Sequence, residues 1–304
     1  MSDEPLVWLP FEPERLGELP DNLRYEQIDP DHLPESADEV EFYVLAYRFH
    51  PDDGEALATL PKLRVVQTMT AGVEHIRGYV PQGVLLCNGR GIHDTSTAEL
   101  ALALTLASLR GIPDFVRAQG RAEWVPDTRP SLADKQVLIV GYGQIGEAIE
   151  ARVRPFEASV VRVARSARDG VHAIDELPEL LPHADVVVLV VPGTTETTGL
   201  FDAPMLARMK DDALLVNVSR GPVVDTDALL AELESRRIHA ALDVVDPEPV
   251  PADHPFWDAP GLLVSPHVGG ASSAMWPRAH RLVRDQLHRY AAGQELWNIM
   301  SGEY

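Results

Sequence analysis

Residues 141–146 read Gly-Tyr-Gly-Gln-Ile-Gly, a G-x-G-x-x-G cluster. It directly follows the apolar run Val137–Val140 and opens a helical pattern, the context a dinucleotide-binding turn requires. Gly141 permits a tight turn, Gly143 lets the backbone approach a pyrophosphate, and Gly146 lets helix and strand pack closely. The helix N-terminus adds unpaired N–H groups and the positive end of its dipole. A cluster of this kind on its own also fits a ligand-free strand–helix turn or a methyltransferase-like nucleotide site.

Three further polar residues stand at matching positions. In open parallel sheets, ligands bind beyond the carboxyl ends of the strands. Ser219-Arg220-Gly221 follows the apolar run Leu214–Val218, and Asp246-Pro247-Glu248 follows Ala240–Val244. Pro266-His267 follows Leu262–Ser265 and leads into Val268-Gly269-Gly270. Together these are a cation for a carboxylate, an acid–base group and an acid to tune it. Taken singly, each has an ordinary alternative. Arg220 fits a surface turn, Glu248 a solvated loop between Pro247 and Pro249, and His267 a turn before the glycine pair. The other histidines do not share this placement; His172, His239, His280 and His288 read as surface groups.

The elements that must carry these residues follow from periodicity. From residue 132 onward, apolar β-branched runs recur at Val137–Val140, Ser159–Val163, Val186–Val191, Leu214–Val218, Ala240–Val244 and Leu262–Ser265. Helical patterns at Ile145–Phe156, Glu176–Leu181, Ala203–Met209 and Thr226–Arg236 separate most of them. Near-continuous apolar strands alternating with helices make a parallel sheet covered on both faces, and six strands complete a dinucleotide-binding sheet. The first hundred residues carry shorter runs, Leu6–Leu9, Phe42–Tyr47, Leu63–Gln67 and Val84–Cys87, with a short helical pattern at Gly54–Leu60. These read as a second, smaller α/β domain. Ser96–Leu109 is apolar all round and predicts a buried crossover helix, capped by Ser96 or Thr95. Ser272–Ala292 predicts a long amphipathic helix that returns to the first domain.

Composition excludes several classes. Lys and Arg number 26 against 47 Asp and Glu, a formal charge of −21, which repels phosphate backbones and anionic membranes. Nucleic acid and membrane are therefore not expected partners. The lone Cys87 excludes an intrachain disulfide and a cysteine-based metal cluster, and no metal site is expected. The acidic start, Met1 to Pro10, lacks the basic and apolar regions of a signal peptide, and no apolar run reaches the length of a membrane span. The expected location is the cytoplasm.

The chain resembles the D-isomer-specific 2-hydroxyacid dehydrogenase family. The matching segments are Thr70-Ala71-Gly72-Val73, Thr97-Ala98-Glu99-Leu100, Val140 to Gly146, Val216-Asn217-Val218-Ser219-Arg220-Gly221, Leu242-Asp243-Val244, Pro247-Glu248-Pro249 and Ser265-Pro266-His267-Val268-Gly269-Gly270. They run in the family's order from about residue 68 to residue 270. The resemblance implies two Rossmann-like α/β domains, each a doubly wound parallel sheet, with the active site in the interdomain cleft. The substrate domain would be 1–97 plus 276–304 and the dinucleotide-binding domain 98–275. It implies the catalytic triad Arg220, Glu248 and His267, and substrate contacts from Ala71, Gly72, Arg220 and His267. Cofactor contacts would come from Thr97, Gly141, Tyr142, Gly143, Gln144, Ile145, Gly146, Pro192, Val218, Ser219, Arg220, Asp243, His267, Gly269 and Gly270. It implies a homodimer paired through Leu100–Leu109 and the following arm with Trp124; an ordinary half-buried role for Trp124 fits the sequence equally well.

The family pattern is broken in two places. Val245 replaces a usual Phe, a change confined to packing. The acid expected about 20 residues beyond the glycine cluster, which would bond both ribose hydroxyls of NAD, is missing. The position eighteen residues after Gly146 is Ala164, followed by Arg165 and Ser166, with Arg168 near. Arg165 can pair with a 2′-phosphate and stack on adenine, and Ser166 can add a hydroxyl. NADP(H) is therefore the preferred cofactor, with NAD(H) possible. The expected reaction is hydride transfer between the nicotinamide and a small 2-keto or D-2-hydroxy acid, glyoxylate or hydroxypyruvate by default. Tyr47, Arg48, Met69 and Thr70, with Met275 or Trp276, are the expected pocket lining, and Arg48 fits either a polar substrate tail or a surface ion pair. The alternative is a dinucleotide-sensing binding protein without turnover; the complete triad and the missing recruiting tail argue against it.

Overall fold

The structure, a computed structural model, describes residues 4–48 and 52–302. The chain divides into two compact units, Met1–His93 with Ser273–Tyr304, and Asp94–Ser272. The junctions lie three to four residues before the boundaries expected from the motifs, at Asp94 and Ser273. No helix among the described residues is long and apolar enough to cross a membrane.

The first unit holds five parallel strands: β1 (Leu6–Leu9), β2 (Arg24–Gln27), β3 (Val40–Val44), β4 (Val65–Gln67) and β5 (Leu85–Cys87). Their order is β2-β1-β3-β4-β5. β2 was not legible as a strand. It reads Arg-Tyr-Glu-Gln, lies at the sheet edge, and so needs no continuous apolar run. One face of the sheet is covered by the Met275–Ala291 helix, whose Met275, Ala279, Val283 and Leu287 pack with Val7, Phe42 and Val65. The helix is shorter than the Ser272–Ala292 pattern but returns to this unit as expected. Beyond it, Asn298 and Met300 form backbone bonds with Asn88 and Leu86, covering the open edge of β5.

The second unit holds β6 (Gln136–Val140), β7 (Ser159–Ala164), β8 (His172–Ala173), β9 (Val186–Leu189), β10 (Leu214–Asn217), β11 (His239–Leu242) and β12 (Leu262–Val264). The order is β12-β11-β10-β9-β6-β7-β8, with every pairing parallel. Six of these strands match the apolar runs in the sequence. β8 is two residues long and escapes any periodicity; its His172 is exposed, in keeping with the surface reading. The strand order reverses between β6 and β9, which is where an α/β sheet opens a crevice at its carboxyl edge. Apolar side chains fill both faces, among them Leu138, Val187 and Leu215 on one and Val137, Ile139 and Val188 on the other.

The crossover helix runs from Asp94 to Leu109, starting before the expected caps. Ser96 does not cap it; its hydroxyl meets that of Ser272 at 2.6 Å. Nor is the helix buried all round. Ala98, Ala101, Leu104 and Thr105 face the core, while Leu100, Leu102 and Leu106 are half-buried and Ala103 is exposed. The following helix, Ile112–Gly120, leaves Val116 61% exposed, and the arm beyond it leaves Trp124 95% exposed. Trp124 is thus not a half-buried core aromatic.

Candidate active site

The glycine cluster occupies the turn between β6 and the Gln144–Val153 helix, and its three glycines do three different things. Gly141 has φ +103°, and a Cβ there would lie 2.5 Å from the Val190 carbonyl oxygen, just past β9. A side chain at Gly146 would lie 2.5 Å from the Gly141 carbonyl oxygen. A Cβ at Gly143 meets nothing within 4 Å. Two glycines are therefore required by the protein's own packing, whereas Gly143 keeps open a surface that packing does not need. Gly143 is also the helix N-cap and offers no side chain to the first N–H groups. An exposed helix N-terminus with a bare approach fits a pyrophosphate. Among the described residues no group of three His, Cys, Asp or Glu is placed to hold a metal ion.

Arg220, Glu248 and His267 stand on loops at the carboxyl ends of β10, β11 and β12. His267 Nδ1 lies 2.5 Å from Glu248 Oε1, with both side chains partly open to solvent. His267 itself has φ +51°, a conformation that costs free energy for a residue with a Cβ. Hydrogen bonds hold it there. Its N–H donates to the Asp243 carbonyl at 2.8 Å. The Asp243 carboxylate, 3% exposed, accepts from Ser265 Oγ at 2.6 Å, Val268 N at 2.9 Å and Gly269 N at 2.8 Å. Asp243 thus clamps the His267 loop from both sides. Its carboxylate thus accepts three hydrogen bonds within the clamp.

The Arg220 loop is held similarly by Asn217. Its Oδ1 accepts from Ser219 N and Ser219 Oγ, and its Nδ2 donates to the Arg220 carbonyl at 3.0 Å. Gly221 seals this loop against the next: a Cβ there would lie 1.9 Å from the Val245 carbonyl oxygen. Val245 is buried among core residues, so the loss of the larger aromatic is absorbed by packing. Thr97 is buried beside Gly269, within 3.6 Å of where a Cβ would sit. Val218 is buried, Gly270 and Pro192 are half-buried, and the Pro192 carbonyl accepts from Thr197 Oγ1 at 2.6 Å. Gln144 is exposed and Ile145 half-buried.

β7 ends at Ala164, and Arg165 and Ser166 follow as exposed residues. Among the described residues Arg165 has no hydrogen-bond or ion-pair partner. Arg168, only noted as near in the sequence, turns out to touch the glycine cluster: its Nη2 donates to the Tyr142 carbonyl and its guanidinium lies 5.7 Å from the Tyr142 ring centre. Sequence reasoning missed Glu150 and Arg162 altogether. Glu150 is 5% exposed, accepts two bonds from Arg162 and one each from Arg154 and Tyr142, and these hold its carboxyl down at about 2, Arg162 contributing most. The available signal was a charged residue inside an apolar strand, Arg162 in Ser-Val-Val-Arg-Val-Ala.

In the first unit, Ala71 and Gly72 lie in the loop after β4. Asn88 Nδ2 donates to the Ala71 carbonyl and Thr70 Oγ1 to the Gly72 carbonyl, each at 2.8 Å. The two N–H groups of Ala71 and Gly72 donate to nothing among the described residues. Adjacent unpaired amides of this kind form a small anion nest. Buried Gln67 and Gln286, joined at 2.8 Å, support the loop from beneath. Met69 and Met275 are buried core residues, whereas Trp276 is 45% exposed. Tyr47 lies tilted on His93 at 5.5 Å, and Arg48 pairs with Asp31 at 2.5 Å.

Comparison with known proteins agrees with this layout. The model of the D-isomer specific 2-hydroxyacid dehydrogenase NAD binding domain matches residues 102–269. The chain belongs to this family. A glyoxylate/hydroxypyruvate reductase B of Citrobacter koseri is 34% identical over 230 residues, 71% of each chain. A glyoxylate reductase of Thermofilum pendens is 32% identical over 259 residues, 80% of this chain and 76% of the relative. Among solved structures, a D-isomer specific 2-hydroxyacid dehydrogenase family protein from Aeromonas salmonicida is similar with a TM-score of 0.86 and 28% identity, covering 99% of both chains. One from Xanthobacter autotrophicus, in complex with NADPH and MES, is similar with a TM-score of 0.82 and 27% identity, covering 99% of this chain and 98% of the other. As a D-2-hydroxyacid dehydrogenase, the chain is an NAD(P)-dependent oxidoreductase, and the reading as a sensor without turnover falls away.

Proposed function

We propose that this dehydrogenase interconverts a small 2-keto acid of the glyoxylate or hydroxypyruvate class and its D-2-hydroxy acid, with NADPH preferred to NADH. The observation that carries the chemistry is the pair His267 and Glu248, 2.5 Å apart on the same sheet edge as Arg220. Glu248 accepts the Nδ1 proton, which fixes the ring orientation and leaves Nε2 to hold the proton that moves. In reduction that proton goes to the developing alkoxide; in oxidation Nε2 takes it from the hydroxyl. A nicotinamide cofactor, when bound, would supply the hydride in reduction and accept it in oxidation. Arg220 binds the substrate carboxylate and polarises the keto oxygen through its donor fork. In the first unit, the amides of Ala71 and Gly72, unpaired among the described residues, suit an anion such as a carboxylate. Asp243, through its clamp on residues 265–269, keeps His267 in its strained conformation. His267→Ala is expected to lower kcat for glyoxylate or hydroxypyruvate reduction by about 10²–10⁴ while cofactor binding survives. Unchanged turnover would remove His267 from the chemistry.

The cofactor would be held by residues 141–146 at its pyrophosphate and by Arg165 and Ser166 at the adenosine 2′-phosphate. Support comes from the missing acid at Ala164, the Arg165 guanidinium, unpartnered among the described residues, and the NADPH bound by the Xanthobacter relative. Arg165→Ala should raise KM for NADPH by about tenfold or more, the worth of a charge-assisted bond, and leave KM for NADH nearly unchanged. Equal effects on both cofactors would reject this reading of the loop.

The exposed apolar face of Val116, Trp124 and Val125, with the half-buried leucines of the Asp94–Leu109 helix, supports a homodimer. A single species at monomer mass in sedimentation would refute it. An enzyme drawing on a diffusible reduced nicotinamide works where that cofactor is kept, and we assign this one to the cytoplasm.

A further inference from the structure

The loop that carries Arg165 and Ser166 is tied down at two places by side chains, and both ties lead to one residue. Arg168 and Val171 close its neck with a pair of backbone bonds of 3.0 and 2.9 Å. Arg162 Nη1 donates to the Gly170 carbonyl at 3.1 Å, and Arg168 Nη2 donates to the Tyr142 carbonyl in the glycine cluster. Arg162 is itself held by Glu150 through two bonds, Nε to Oε2 at 2.6 Å and Nη2 to Oε1 at 2.5 Å. Tyr142 is held by the same carboxylate through its hydroxyl, and its ring lies 5.5 Å from the Arg162 guanidinium. Glu150 is thus the shared anchor of the glycine cluster and of the loop after β7. It is buried on the helix that the glycines open, where an unpaired carboxylate would be costly, and Arg154 Nε also donates to its Oε1 at 2.6 Å.

We propose that Glu150 is a positioning residue for cofactor selection, setting through Arg162 and Tyr142 the distance between the pyrophosphate turn and the loop that reads the adenosine 2′-phosphate. The proposal rests on the assignment of Arg165 and Ser166 to that phosphate. A carboxylate with two anchored partners fixes both loops before the ligand arrives, so binding does not have to order them. The relation is directional. A ligand with a 2′-phosphate spans both loops and feels their separation, whereas a ligand with only the 5′-phosphate touches the glycine turn and does not.

The test compares two probes by calorimetry, adenosine 2′,5′-bisphosphate and 5′-AMP, on the full-length wild type and on Glu150→Gln, Arg162→Lys and Arg165→Ala. Glu150→Gln keeps the side chain's size and removes its charge. Arg162→Lys keeps a charge but loses the planar fork whose separate nitrogens reach Glu150 and Gly170. Both are expected to weaken the bisphosphate by about tenfold, the worth of one charge-assisted bond, and 5′-AMP by less than about twofold. Should Glu150→Gln fail to fold, Arg162→Lys decides. If both variants bind the two probes as the wild type does, or weaken both alike, while Arg165→Ala still loses only the bisphosphate, Glu150 is merely structural and the proposal fails. If Arg165→Ala is itself unselective, the 2′-phosphate reading fails first and takes this one with it.

Discussion

Replacing Gly221 by Ala tests whether the Arg220 and Glu248 loops are held at a set distance. The Cβ would lie 1.9 Å from the Val245 carbonyl oxygen, 2.2 Å from its carbon and 2.9 Å from Asp246 N. These are backbone atoms, so no rotamer change relieves the clash. The carbonyl must retreat from 1.9 Å to at least 3.0 Å, a shift of about 1.1 Å. Gly221 adjoins Arg220, and Val245 leads through Asp246 and Pro247 to Glu248, so the shift falls between the guanidinium proposed to bind the substrate carboxylate and the acid proposed to orient His267. A misplacement of about 1 Å at a reacting group costs about 10²-fold in rate. Overpacking of this kind also costs about 1–3 kcal/mol of stability. The assay is kcat at saturating 2-keto acid, with thermal unfolding and cofactor titration on the same sample. The expected result is a folded protein with a lowered Tm, near-normal cofactor binding and kcat down by about 10²-fold. A folded Gly221→Ala variant with wild-type kcat would show that the separation of the two loops does not govern the chemistry.

Gly143→Ala is the converse case, because its Cβ enters open space at φ −104°. Thermal stability should be unchanged or slightly raised, while nicotinamide cofactor affinity falls by about tenfold or more as the backbone loses its close approach; undiminished affinity would place the pyrophosphate elsewhere. Glu150 makes stability depend on acid. Its folded value of about 2 lies below the ordinary 4.5, so its contribution is fully present above 4.5 and is lost as pH falls towards 2. For this buried group the contribution is on the order of 3 kcal/mol. Urea unfolding of Glu150→Gln should accordingly show a flatter stability profile across that window than the wild type, and a parallel profile would contradict it.

The sequence by itself determined the parallel sheet of the second unit and the location of the proposed catalytic groups. Strands buried on both faces must be largely apolar, so β6, β9, β10 and β11 announce themselves locally, and the half-buried β7 and β12 still carry β-branched and aliphatic runs. Polar residues directly after them are then bound to gather at one edge, which is why Arg220, Glu248 and His267 were legible before any coordinates. The absence of an acid at Ala164 is likewise a matter of counting. Elements without a local signal were not legible: β2 lies at an edge and carries polar residues, and β8 has only two residues. Tertiary structure alone decided which groups hold the site in shape. The Asp243 clamp spans residues 243 to 269, the Gly221 approach joins two crossovers, and Glu150 gathers Tyr142 and Arg162 from different elements. The helix Asp94–Leu109 makes the same point, since its composition predicts complete burial and packing within one chain leaves a leucine-bearing face partly open. Composition and periodicity report each residue's average surroundings. Bonds and close approaches between residues distant in sequence depend on distances of a few tenths of an ångström that only the folded backbone sets.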